Sequence, residues 1–382
     1  MTRELIAVDS APERVLIALR AALDGSGPAI RVAAPGASGA AAAVVPQRVA
    51  VVVETSGSSG PPKRVALATG ALLTSAAATL TELGGPGRWL LCLPTHYIAG
   101  VQVLVRSITA DADPVVLPEG HFDPLAFLAL ARTMPAGERR YSSLVPVQLA
   151  RLLDAAEADP AEAATLRSFD ALLIGGQAAP RPLHERAAAL GVQVRLTYGS
   201  SETAGGCVYD GSPLRDVRVR IDDGQVLLGG PTLAEGYLDA DGGLDVDRTA
   251  SAFSSVAGER WYRTGDAGEL VDGRLRVTGR LDRVIVSGGE KVSLDAVEKV
   301  LRDGPVPDAL VVRRADAEWG EVPVVVTAAA PVPVLAEVRA VVQEALGRVA
   351  RPVAVVRVET VPLLASGKPD RRALEGLAAT AD

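Results

Sequence analysis

At 382 residues the chain exceeds a single average domain and predicts one large domain with a smaller companion. Apolar residues make up 48% and aromatic residues only 3%, so the cores must be built mainly from Ala, Val and Leu, which suits parallel sheet covered by helices. A net charge of -7 without any Lys/Arg-rich block excludes the electrostatic footprint of a nucleic-acid or anionic-membrane binder.

In chain order, the start MTRELIAVDSAPERVL carries early acidic residues and no continuous apolar stretch of signal-peptide type. No run reaches the roughly 18 apolar residues of a membrane span, because Pro46, Gln47 and Arg48 interrupt the best candidate. A soluble, cytoplasmic protein with no membrane span is expected. The Ala/Gly stretch 34–43 reads as a loop or an Ala-rich surface piece. Residues 48–54 read as a short buried strand, followed by a Gly/Ser/Pro turn, a further strand and a helix from about Thr69. Strands are expected at 88–93, 114–117, 171–174 and 192–197, with helices at 124–133 and 147–157 between them. This alternation predicts an α/β layered domain.

From about 216 the pattern changes to short β runs with hairpin turns at Asp223-Gly224 and Asp272-Gly273, an antiparallel β subdomain. Past Arg280 a new compact α+β unit begins, with a helix at 293–302, strands near 308–313 and 322–328, a helix at 334–348 and a strand at 353–358. The fold expected is therefore α/β: a large N-terminal domain of layered sheets plus a β subdomain over 1–281, and a small mobile C-terminal α+β domain over 282–382.

Only four of the 39 basic residues are lysine: Lys63, Lys291, Lys299 and Lys368. Where Arg does nearly everything else, a retained Lys can mark a site that needs a compact point charge, and three of the four stand beside Gly/Ser-rich turns. Lys299, inside the helical pattern SLDAVEKVL, reads as an ordinary surface residue. The two cysteines, Cys92 and Cys207, lie far apart without CxxC spacing, which excludes a disulfide framework and argues for reduced buried thiols.

The segment Thr55-Ser56-Gly57-Ser58-Ser59-Gly60-Pro61-Pro62-Lys63 follows a strand and combines hydroxyls, glycines and one Lys, a phosphate cradle in chemical terms. It is not a Walker A loop, which would need GxxxxGK[ST]. Its order of residues resembles the nucleotide-phosphate loop of the adenylate-forming superfamily of acyl-CoA synthetases, adenylation domains and luciferases. Further motifs follow in that superfamily's order. Tyr198-Gly199-Ser200-Ser201-Glu202-Thr203 resembles its YGxTE motif, with Ser201 where Thr is usual. The resemblance implies that Tyr198 stacks on adenine, Ser201 meets the α-phosphate and Glu202 holds Mg²⁺, and a carboxylate among phosphates is a sensible magnesium ligand.

Gly175-Gly176-Gln177 resembles the glycine turn of the adenine pocket. Tyr262-Arg263-Thr264-Gly265-Asp266 resembles the motif whose Asp accepts from both ribose hydroxyls, here Asp266 held on a rigid turn, with Arg280 supporting ribose or phosphate. Asp282 matches the hinge on which the small domain pivots between half-reactions. Ser287-Gly288-Gly289-Glu290-Lys291 resembles the loop lining the pantetheine tunnel, where Gly288 and Gly289 keep a narrow channel open. Ser366-Gly367-Lys368-Pro369-Asp370-Arg371 matches the C-terminal motif whose Lys enters the site for adenylation. Lys368 and Lys63 are thus the implied catalytic cations, with ATP, Mg²⁺ and CoA as co-substrates.

The region from Leu93 to Arg106, together with the segments 143–149 and 203–211, resembles the o-succinylbenzoate-CoA ligase family of menaquinone biosynthesis. That acid has two carboxylates, one activated and one held unreacted. Arg106 is the candidate for holding the second, with Gly205 and Gly206 making room for the ring. An ordinary salt bridge on a helix face is the alternative for Arg106. His96 either shapes the acyl pocket or is a satisfied structural histidine. The phosphate loop begins at residue 55, which implies a shortened N-terminal part. Arg313, Arg314 and Arg372 are basic candidates for the CoA nucleotide end, and a homodimer is a possible assembly. The rival readings are another aryl- or acyl-CoA ligase, an adenylation enzyme that loads a carrier protein, and a noncatalytic nucleotide-binding protein.

Overall fold

The computed structural model describes residues 1–35, 43–55, 62–363 and 369–379. Four sheets organise them. The first has six strands in the order Gly236–Leu238, Lys63–Ala68, Val49–Thr55, Ala29–Val32, Thr2–Val8 and Ala43–Pro46. Val49–Thr55 is a nearly continuous run of β-branched residues buried on both faces, as a central strand requires. It pairs antiparallel with Lys63–Ala68, and Thr55 faces Lys63, so the Gly/Ser/Pro run joins two neighbouring strands.

The second sheet has seven strands, and its core of Arg88–Leu91, Arg140–Leu144, Ala171–Ile174 and Val194–Ser200 is parallel. The helices Pro124–Thr133 and Pro146–Ala158 cover it. The first begins at residue 124 for a local reason: Asp123 caps it, accepting from the amides of Leu125 (2.9 Å) and Ala126 (3.3 Å), and a proline fixes the first helical position.

The third sheet is the antiparallel one. Both expected hairpins are present, and Asp223, Gly224, Asp272 and Gly273 all have positive φ, as two-residue turns of the primed type require. The element between them differs from expectation. Glu259–Val271 is one strand of 13 residues, so Asp266 sits within a strand and not on a turn. A left-handed Gly265 (φ +73°) and a register shift between Ala267 and Gly268 supply the local bend. The strand Thr2–Val8 and the helix Pro12–Asp24 were not expected either. The strand is fixed by non-local pairing, parallel to Ala29–Val32 and antiparallel to Ala43–Pro46.

One large buried cluster draws residues from the first three sheets, including Val51, Leu67, Trp89, Val208, Val226 and Tyr262. A separate cluster of Ile285, Val297, Val311, Val325 and Val338 builds a small C-terminal α+β unit around the fourth sheet. Large α/β body, β subdomain and small α+β unit thus agree with the expected architecture. Among the described residues no helix is long and apolar enough to cross a membrane.

Candidate functional site

The chain from Val194 to Thr203 builds the centre. Its strand ends at Ser200 and passes into a single 3-10 turn, Ser201–Thr203, whose Ser200 hydroxyl accepts from the Glu202 amide (3.2 Å). The turn is closed by Ala204 in the left-handed region (φ +52°). That unfavourable conformation is held because two buried side chains, Gln102 (2.7 Å) and Ser75 (3.1 Å), donate to the Ala204 carbonyl. Glu202 is buried, and the Tyr237 hydroxyl donates to its Oε1 at 2.8 Å. The Lys63 Nζ lies 5.3 Å from the centroid of the same Tyr237 ring. Lys63 and Glu202, 139 positions apart, therefore meet on one side chain.

Four residues before Glu202, Tyr198 donates to Asp266 Oδ2 at 2.6 Å. The other oxygen, Oδ1, accepts from Arg280 Nη1 at 3.1 Å, and Asp266 and Arg280 face each other across neighbouring strands. Arg280 also reaches Asp282 through two contacts of 3.2 Å, so one guanidinium ties the expected ribose carboxylate to the expected hinge. Burial raises the Asp266 carboxyl above its ordinary range, while Tyr198 and Arg280 pull it back down. Burial, reinforced by Asp266 and by Glu202 respectively, pushes the phenols of Tyr198 and Tyr237 up, so both remain hydrogen-bond donors.

The glycines have internal reasons as well. A Cβ on Gly199 would lie 2.2 Å from the Gly205 carbonyl oxygen, one on Gly206 would lie 3.0 Å from Thr197, and one on Gly205 would press on Gln102 at 3.2 Å. The room left by Gly205 and Gly206 is thus taken by neighbouring protein side chains, which accounts for both glycines without a ligand ring. Gly175 follows the strand Ala171–Ile174 against Thr197, and Gly176 turns the chain at φ +80°, with Gln177 exposed beyond it.

Arg106 lies on the helix Ile98–Thr109 and is 3% exposed. The salt-bridge alternative is not what is found: among the described residues no carboxylate pairs with it. Its guanidinium stacks 4.9 Å from the Trp89 ring and makes only long contacts of 3.5 Å to Ser143 Oγ and Tyr209 Oη, with Nε unpartnered. His96 packs on Tyr97 at 4.2 Å with Nδ1 buried and unpartnered, and burial lowers its pKa.

In the C-terminal unit Gly288 and Gly289 form the two-residue loop of a hairpin between Val284–Ser287 and Glu290–Ser293. Gly288 fits under the Trp319 ring, where a Cβ would come within 2.7 Å. Arg313 is occupied by Glu321 (3.6 Å) and Glu375 (3.3 Å). Ser56, Gly57, Ser58, Ser59, Gly60 and Lys368 lie outside the described residues.

No described group of three or more His, Cys, Asp or Glu side chains could enclose a metal. A lone buried carboxylate with one oxygen anchored fits Mg²⁺, which takes one or two carboxylates and completes its shell with water and substrate phosphates.

Tyr237, Trp89, Gln102 and Tyr209 were missed from the sequence. The available signal was scarcity: the chain has only six tyrosines, and three of them, at 198, 237 and 262, flank the carboxylates of Glu202 and Asp266.

Comparison with known proteins identifies a family. The AMP-binding enzyme family matches residues 3–238, and the AMP-binding enzyme C-terminal domain matches residues 297–368. A probable 2-succinylbenzoate--CoA ligase of Mycobacterium tuberculosis is 43% identical over 335 residues, covering 85% of this chain and 84% of that protein. The chain belongs to the AMP-binding enzyme family. Among solved members of similar fold, the o-succinylbenzoate CoA synthetase of Bacillus subtilis in complex with the acyl-adenylate intermediate OSB-AMP is 27% identical, with a TM-score of 0.75 over 90% of this chain and 72% of that one. The amide bond synthetase McbA from Marinactinospora thermotolerans is 28% identical, with a TM-score of 0.75 over 98% of this chain and 80% of that one.

Proposed function

We propose that the chain is an ATP- and Mg²⁺-dependent acid-CoA ligase whose acid is o-succinylbenzoate, acting through an acyl-adenylate. The observation that carries the reading is the convergence of Lys63 and Glu202 on Tyr237, with the Tyr198–Asp266 pair four residues away along the same segment. A cation, two carboxylates and two tyrosine rings gathered along one segment support that reading.

In this reading Asp266 accepts from the ribose hydroxyls, Tyr198 offers its ring to adenine beside the Gly175-Gly176-Gln177 turn, and Ser201 meets the α-phosphate. Glu202 would hold magnesium, which when bound supplies neutralisation of the phosphate charge. The loop 55–63 with Lys63, and Lys368 from the C-terminal unit, offset charge while a substrate carboxylate oxygen attacks the α-phosphorus and pyrophosphate leaves. No protein nucleophile is needed, because positioning and preorganised electrostatics lower the barrier. Rotation of residues 282–382 about Asp282 would then withdraw Lys368 and bring Gly288 and Gly289 alongside the pantetheine arm. The CoA thiolate attacks the acyl carbon and AMP leaves. All three substrates are small polar molecules, which suits a cytoplasmic enzyme.

Arg106 supports the choice of acid. Its guanidinium is buried with no carboxylate partner among the described residues, which is costly, and the second carboxylate of a dicarboxylic acid would supply the missing charge. The test offers o-succinylbenzoate, benzoate and fatty acids with ATP and CoA and follows thioester formation. Only o-succinylbenzoate should turn over efficiently, and Arg106→Met should lower its kcat/KM by about 100-fold. Thioester from benzoate or fatty acids but not from o-succinylbenzoate would refute the acid. No acid-dependent exchange of pyrophosphate into ATP with any acid would refute the ligase.

A further inference from the structure

We propose that Tyr237 is a positioning residue that fixes the Glu202 carboxylate relative to the Lys63 ammonium, and so sets how far Mg²⁺ tightens nucleotide binding. The inference rests on the nucleotide reading above and extends it to a residue outside every motif that led there.

The local chain is built for the task. Tyr237 is 1% exposed and sits in the three-residue edge strand Gly236–Leu238, which pairs with the strand that begins at Lys63, Tyr237 opposite Val65. Just before it, the Ala234 amide donates to the Glu202 carbonyl (2.8 Å) and the Glu235 amide to the Ala66 carbonyl (2.8 Å). Residues 234–238 are therefore fastened by main-chain bonds both to the turn carrying Glu202 and to the strand carrying Lys63. The Thr249 hydroxyl bonds the Tyr237 amide at 3.0 Å and the Phe253 ring packs 6.1 Å from its ring, which leaves the phenol little freedom.

From that mount the hydroxyl donates to Glu202 Oε1, and the ring face receives the Lys63 charge. Among the described residues Tyr237 is the side chain that donates to Glu202. With no enclosing cluster of ligands among the described residues, the carboxylate would share the ion with the nucleotide's own oxygens, so its orientation matters more than in a closed cage. One oxygen held by the phenol would leave the second for a hard cation. Without the hydroxyl, Glu202 can rotate and the metal loses an aligned ligand.

The test measures affinity for a non-hydrolysable ATP analogue by calorimetry, with Mg²⁺ and with EDTA, in wild type, Tyr237→Phe, Glu202→Gln and the double variant. A tyrosine that merely packs would affect both conditions alike. The expected result is that Tyr237→Phe diminishes the Mg²⁺-dependent tightening about tenfold and leaves metal-free affinity within about twofold. The double variant should be no worse than Glu202→Gln, since both substitutions remove the same interaction. Unchanged tightening in Tyr237→Phe, equal losses with and without metal, or additive effects would each overturn the proposal. A Tyr237→Phe protein that melts far below wild type without nucleotide would do so too, by making the hydroxyl a packing requirement. Wild type that binds no nucleotide would overturn the ligase reading along with it.

Discussion

Asp266 is asked to be an anion in a place that disfavours one. Burial raises its carboxyl, and Tyr198 and Arg280 oppose that rise through a hydrogen bond and an ion pair. In the proposed role ribose hydroxyls donate to Asp266, so the ionised form is the one that would bind them. Tyr198→Phe removes one of the stabilising bonds, the carboxyl pKa climbs further, and protonation sets in at higher pH. A hydrogen bond to a charged group contributes about 1.5 kcal/mol, so the acidic limb of kcat/KM for ATP should shift upward by about one pH unit. An unmoved or lowered limb in the pH profile would show that Tyr198 does not tune Asp266. At this scale the motif residues were legible because their types carry the chemistry: carboxylate, hydroxyl, ammonium. Tyr237 was not, because an aromatic residue between Gly236 and Leu238 reads in sequence as an ordinary strand residue. Arg106 stood between two readings until its surroundings showed Trp89 where an acidic partner would have been.

The strand Val194–Ser200 and its return Gly205–Tyr209 depend on one close approach. Gly199 sits at the register shift between them, and its Cα faces the Gly205 carbonyl so closely that any side chain collides with backbone. Gly199→Ala should destabilise the protein by about 2 kcal/mol or more, measured by chemical denaturation, and should weaken ATP binding because Tyr198 is displaced with it. Stability within error of wild type would mean that the two strands separate freely. Elements with strong local signals were placed well from sequence: the helix Pro124–Thr133 has its Asp cap and proline, the strand Ala171–Ile174 its apolar run, and the two hairpins their Asp-Gly turns. The strand Thr2–Val8 has no such signal, since what makes it a strand is pairing with segments 29–32 and 43–46. The 13-residue strand through Asp266 was hidden by the glycines within it, which read as turns although only Gly265 of Gly265 and Gly268 has positive φ.

The small C-terminal unit is joined by a buried charge cluster. Burial works against the Glu298 carboxylate, yet Arg371 (2.7 and 2.9 Å), Arg283 (3.3 Å) and the Val311 amide (3.0 Å) together hold its pKa below the ordinary glutamate range. These partners come from the linker turn, a strand and the last helix, so one carboxylate fastens the unit's edges. Glu298→Gln takes the carboxylate from Arg371, while Arg283 keeps Asp295, and should cost about 3 kcal/mol in unfolding of this unit, followed by Trp319, the one tryptophan beyond residue 282. The sign with pH follows from the lowered pKa. The contribution is present above the unfolded carboxyl's pKa and is lost as pH falls through the folded value, so variant and wild type should converge in acid. A gap that stays constant into acid would place the cost in packing instead.

By itself the sequence determined the chemical vocabulary of this protein: a glycine- and hydroxyl-rich loop, spaced carboxylates, four lysines and the order of sheet and helix, all set by residue type and local spacing. Only the tertiary structure decided which of these groups meet. Lys63 and Glu202 share Tyr237, Tyr198 donates to Asp266, and Arg106 lies buried with no acidic partner among the described residues. Contacts between residues scores of positions apart depend on strand order and register, which arise from the packing of the whole chain and leave no mark in any single segment.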